Sequence, residues 1–150
     1  MLTTLHASEP CAVACAGRGR GKLAAAELIH LVVLGEITRV LGAAHSKTLT
    51  SANNLAVVYS NQGKHIQATA LQRDLLIKTQ RVLGEDHPCT IVSANNLALT
   101  YCKIHRYDLA NVLQLKVLHV AVRVFGQHHP NTLAAAAAGL LTLRTDTTRA

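Results

Sequence analysis

The chain has 150 residues and a mass of 16.0 kDa, with 49% apolar residues, 15% charged residues and a formal net charge of +7. That composition, with only 9 glycines and 3 prolines, excludes disordered, collagen-like and low-complexity chains. No apolar run approaches the ~18 residues of a membrane span, and three tyrosines and one phenylalanine leave little for stacking single-stranded nucleic acid.

In the N-terminal segment, Arg18, Arg20 and Lys22 follow the apolar stretch instead of preceding it. That is the wrong order for a secretory signal, so a cytoplasmic location is expected. Cys11 and Cys15 are spaced i, i+4 on a short helix expected near 10–16. Two thiols do not fill a tetrahedral zinc site, so Cys11 and Cys15 are read as buried small apolar residues, and Cys11, Cys15, Cys89 and Cys102 do not make a disulfide framework. The run Gly17-Arg18-Gly19-Arg20-Gly21-Lys22 resembles a phosphate loop but has Ala16 where the leading glycine is needed and Leu23 where Ser or Thr is needed.

From there the chain repeats itself with a step of 42. Arg39, Val40, Gly42, His45 and Thr48 recur as Arg81, Val82, Gly84, His87 and Thr90, then as Arg123, Val124, Gly126, His129 and Thr132. Ser51-Ala52-Asn53-Asn54-Leu55-Ala56 returns unchanged at 93–98, and 16 of 42 positions are identical between 45–86 and 87–128. The repeats are placed at 3–44, 45–86 and 87–128, with a half repeat at 129–144. The domain spans 21–144, residues 1–20 form a degenerate half repeat or flexible arm, and 145–150 form a tail. Such a period marks a repeat architecture.

Each repeat carries two apolar stripes of helical spacing. The first is Ala52, Leu55, Ala56 and Tyr59, copied as Ala94, Leu97, Ala98 and Tyr101. The second is Ala68, Leu71, Leu75 and Val82, copied as Ala110, Leu113, Val117 and Val124. Gly84 suits a helix end and Pro88 the next helix start. Helices are predicted over 22–41, 47–61, 65–82, 89–103, 107–124 and 131–144. The expected fold is all-α, an α-solenoid of stacked helical hairpins.

The motif L-G-x-x-H-P-x-T stands at Leu83–Thr90, followed by N-N-L-A-x-x-Y at Asn95–Tyr101. Together they resemble the long tetratricopeptide repeats of kinesin light chains and of arrays attached to NACHT- or NB-ARC-type ATPase proteins. The resemblance implies a right-handed superhelix with a concave groove that holds a peptide. Kinesin light chain repeats usually read I-R-E-K before L-G. Here the first Arg of that motif falls on Thr79 and Ala121, which weighs against a motor cargo adaptor for acidic peptides.

On the first helix of each hairpin, a stripe away from the apolar one gives the candidate groove: Asn53, Val57 and Asn61, then Asn95, Leu99 and Lys103, then Leu141 and Arg144. Asn53 and Asn95 either hydrogen-bond the backbone of a bound peptide or tie one hairpin to the next. The tie is the favoured role for Asn54 and Asn96. His45, His87 and His129 cannot converge on one zinc, because stacked helices lie ~8–10 Å apart and each ligand nitrogen needs ~2.1 Å. They are read as linker-turn residues. No metal site, cofactor, carboxylate pair or catalytic triad is expected, and the chain is read as a non-enzyme.

The expected function is a protein-interaction scaffold for a partner peptide or helix, with no membrane partner and no specific nucleic acid. The rivals are a basic helical-repeat nucleic-acid binder and a detached fragment of a larger sensor array. The even spread of the excess charge argues against the first rival. The helix from Thr132 to Arg144 is so apolar that its Leu141 face is expected to be a self-association surface or a truncation scar.

Overall fold

The structure is a computed structural model and describes the backbone of residues 20–147 and the side chains of residues 21–140. The helix expected near 10–16, with Cys11 and Cys15, lies outside the described residues. Six helices follow in order: α1 (Arg20–Leu41), α2 (Ser46–Asn61), α3 (His65–Leu83), α4 (Pro88–Lys103), α5 (Tyr107–Phe125) and α6 (Pro130–Thr147). Among the described residues there is no strand. Arg20, Gly21 and Lys22 form the first turn of α1, not a phosphate loop.

The repeated motif is a set of stop and start signals. Gly42, Gly84 and Gly126 take φ of +86°, +89° and +86°, a left-handed conformation that costs glycine little. The Gly84 N–H donates to Gln80 O at 3.1 Å and closes α3. Two helices then begin on histidine caps: His45 and His87 are extended, and their Nδ1 atoms accept from the N–H of Lys47 and Cys89 at 3.2 and 3.1 Å. His129 Nδ1 accepts from Asn131 N–H at 3.2 Å in the same way. Each cap satisfies an amide that a helix start would otherwise leave open. Thr48 and Thr90 hydroxyls donate back to Gly42 O and Gly84 O, both at 2.7 Å. Thr132 departs from the pattern and donates to Ala121 O at 3.2 Å.

Within a hairpin the turn is tighter. Lys64 N–H reaches Tyr59 O and Arg106 N–H reaches Tyr101 O, both at 2.9 Å, the six-residue closure of a Schellman motif. Gly63 supplies the positive φ in one copy, and His105 supplies it in the next.

Each helix packs on its neighbour in sequence. In addition α2 meets α4 and α4 meets α6, whereas the backbones of α1, α3 and α5 do not approach one another. The even helices therefore line the tightly stacked inner side of an α-solenoid, and the odd helices splay along the outer side. The cores sit between consecutive helices. Leu49, Ala52, Ala56 and Leu75 form one, and Ile91, Ala94, Val117, Ala121 and Ala135 the other. Ala56, Ala68, Ala98 and Ala110 are fully buried, so small residues set the helix spacing.

The first apolar stripe is buried as expected, except that both tyrosines are half-buried. The second needs correction. Val82 and Val124 are exposed, and the buried line runs instead through Gln72 and Thr79 in α3 and through Gln114 and Ala121 in α5.

Candidate functional site

The candidate residues lie on α2, α4 and α6, the helices of the inner side. Asn61 and Lys103 come together directly. Lys103 Nζ donates to Asn61 Oδ1 at 3.0 Å and to Ser60 Oγ at 3.1 Å, linking the C-terminal ends of α2 and α4. Thr100 extends the link, its hydroxyl donating to Asn96 O at 3.1 Å and lying 3.4 Å from Ser60 Oγ.

No carboxylate pairs with Lys103 among the described residues. Partial burial pushes its ammonium below the usual lysine range. The result is an exposed cation held by two neutral acceptors.

Val57 is half-buried and Leu99, one step of 42 further on, is 40% exposed. They form the apolar part of the face next to Lys103. Asn53 is only 3% exposed, and its Oδ1 has no hydrogen-bond partner. Asn95 is half-buried and accepts from Gln114 Nε2 at 3.1 Å. Leu141 and Arg144 belong to α6 beyond the described side chains.

Gln114 is the residue the sequence reading missed. Its Nε2 also donates to Ala135 O at 2.8 Å, so one amide joins α4, α5 and α6. Gly139 makes room for it, since a Cβ there would stand 3.3 Å from Gln114 Cγ. The signal was available: Gln72 and Gln114 are 42 apart. A polar residue repeated between copies at a helix midpoint is structural as much as an apolar one is.

The remaining polar chemistry is dispersed. Cys102 is pushed above its ordinary thiol range by burial, which suits a packing role. Among the described residues no three His, Cys, Asp or Glu side chains gather around a common point. No helix described is long and apolar enough to cross a membrane.

A family model described as "Tetratricopeptide repeat" matches residues 48–88 and 90–131. Two crystal structures of a protein from Podosopora anserina, described as a kinesin light chain with nearly identical TPR-like repeats, share the fold. The first is 21% identical with a TM-score of 0.77 over 85% of this chain. The second, a point-substituted form of the same protein, is 22% identical with a TM-score of 0.74 over 81%. The chain spans 60% and 57% of their respective lengths. No curated protein matches it.

Proposed function

Since the chain belongs to the tetratricopeptide repeat family, we propose that it is a non-catalytic interaction scaffold whose inner face binds a peptide or helix of a partner protein. Lys103 carries this reading. An exposed, partly desolvated cation beside exposed Leu99 and half-buried Val57 is complemented by an apolar side chain with a carboxylate next to it. Asn61 already orients the ammonium, so such a carboxylate meets a preset donor. Asn95, Leu141 and Arg144 extend the proposed groove, in which Asn95 also serves the α4–α5 tie, whereas Asn53, 3% exposed, lies too deep to meet a ligand. A cytoplasmic setting accompanies the reading.

The test is capture of partners from a cell lysate by the chain and by a Leu99→Asp, Lys103→Glu variant. Loss of captured proteins with unchanged helical circular dichroism supports the inner face. Equal capture by both overturns it. Self-association through α6 is a separate part of the proposal, supported by Leu133 and Leu140, which are 55% and 68% exposed. Sedimentation velocity at micromolar concentration tests it, and a strict monomer removes it.

A further inference from the structure

On the outer side, the splay of α3 from α5 opens a furrow floored by α4. Two adjoining cavities of about 430 and 290 Å³ share Leu76, Leu113 and Lys116 in their walls and make one continuous trough. The wall of α3 presents Arg73 and Ile77, and the wall of α5 presents Leu109, Val112 and Lys116. Ile77 and Val112 are 55% and 60% exposed. Neither Arg73 nor Lys116 forms an ion pair or side-chain hydrogen bond among the described residues. An apolar floor is thus flanked by an uncommitted cation on each wall, while Glu85 and the Asp86-paired Arg123 line only the larger cavity, away from Arg73.

The internal repeat supplies a control for this surface. One repeat before Leu109, Val112 and Lys116 stand Gln67, Ala70 and Asp74. The packing positions around them are unchanged over the same step: Ala68 and Ala110, Leu71 and Leu113, Gln72 and Gln114, Leu76 and Leu118. The two copies therefore keep these four packing positions and differ at Leu109, Val112 and Lys116, where α5 faces the furrow. Between α1 and α3 the corresponding wall carries Gln67, Ala70 and an Asp74 paired with Lys78 at 3.2 Å. Between α3 and α5 it is apolar and basic. Hairpin stacking needs neither change, because the first copy stacks without them.

The geometry points to a second docking surface, an outer furrow between α3 and α5 that takes an amphipathic helix of a partner protein bearing apolar anchors flanked by carboxylates. The apolar walls suit anchors at i, i+4 and i+7, and the two cations fix the sign of the flanking residues. This surface is independent of the inner face and of Lys103.

The probe is a fluorescein-labelled synthetic helix of about 18 residues, long enough to hold a helix in water, with leucines at i, i+4, i+7 and i+11 flanked by glutamates. A second probe replaces the glutamates with lysines. By fluorescence anisotropy the acidic probe binds the full chain more tightly than the basic one. Val112→Asp and Lys116→Glu each weaken it by about tenfold, the loss a central contact carries. Lys116→Glu in turn strengthens binding of the basic probe, and a Leu99→Asp, Lys103→Glu variant, which silences the inner face, still binds the acidic probe and still loses it when Val112→Asp is added. Both furrow positions are exposed, and helical circular dichroism checks that the variants fold. The proposal is overturned if the acidic probe does not bind, or binds the furrow variants as it binds the parent chain. It is equally overturned if silencing the inner face with Leu99→Asp, Lys103→Glu abolishes binding of the acidic probe, or if phosphatidylserine vesicles bind in a Lys116-dependent way while the peptide does not.

Discussion

The Gln114 side chain on α5 donates to the Asn95 oxygen on α4 at 3.1 Å. Their counterparts one repeat earlier, Gln72 and Asn53, are both buried, yet Gln72 Nε2, Gln72 Oε1 and Asn53 Oδ1 have no partner. The same residue types stand at the same places with different energetic standing: Gln114 has its Nε2 paired and its Oε1 unpaired, Gln72 has neither paired, and each unpaired buried group costs about 1–3 kcal/mol.

Gln72→Met and Gln114→Met should therefore move stability in opposite directions. The first removes unpaired polar atoms at nearly constant volume and should stabilise by about 1 kcal/mol. The second strips a donor from Asn95 Oδ1 and Ala135 O and should cost about 1–3 kcal/mol. Urea denaturation of the two variants decides. Equal effects would mean that the amide network does not hold the hairpins together.

At the start of α4, His87→Ala removes the side-chain acceptor for Cys89 N–H and should cost about 1 kcal/mol. His87→Asn keeps an acceptor of similar reach and should stay near the parent. Hydrogen exchange at the Cys89 and Thr90 amides shows whether the loss is local to that helix start.

His105 holds φ of +60° at the turn where the preceding hairpin uses Gly63 at +79°. Left-handed backbone disfavours a side chain by up to about 1–2 kcal/mol, less for His than for branched residues. The His105 Nδ1 contact to Tyr107 Oη at 2.8 Å offsets part of that. His105→Gly should raise the unfolding midpoint modestly, whereas Gly63→Ala should lower it. Thermal melts of the pair check both signs.

Acid should loosen the contact of α1 with the α2–α3 turn. Glu27 receives hydrogen bonds from Lys64 Nζ at 2.8 Å and Gln62 Nε2 at 2.8 Å, which hold its carboxyl below the usual glutamate range. A lowered folded pKa stabilises fully above the unfolded value near ~4.3, and that contribution is lost as pH falls through the folded value. Hydrogen exchange in α1 should accelerate over that range in the parent chain, and Glu27→Gln should flatten the dependence.

The helices were legible because their signals are local. Gly84, Pro88 and the repeat step bring the expected helix starts, and every helix end but that of α6, within a residue or two of the observed ones. The starts of α2, α4 and α6 fall one residue earlier than expected, because the histidines read as turn residues are caps that recruit the next position into the helix. Gln114 was not legible as a tie, since its partners Asn95 and Ala135 sit on other helices. Lys103 and Asn61 fell on one stripe by angular spacing alone, but their contact depends on how closely α2 and α4 stack, a distance no single-helix pattern contains.

The histidine cap and glycine stop give the chain a fixed quantum of length. Excising residues 45–86 would join Leu41-Gly42-Ala43-Ala44 to His87-Pro88 and restore the same stop, spacer and cap at the splice. Copying that block would likewise insert a hairpin whose two ends already match their neighbours. Because each unit leans only on adjacent ones, the fold can lengthen or shorten by whole 42-residue steps, while an indel of another size inside a helix would turn the rest of that helix out of phase with its neighbours.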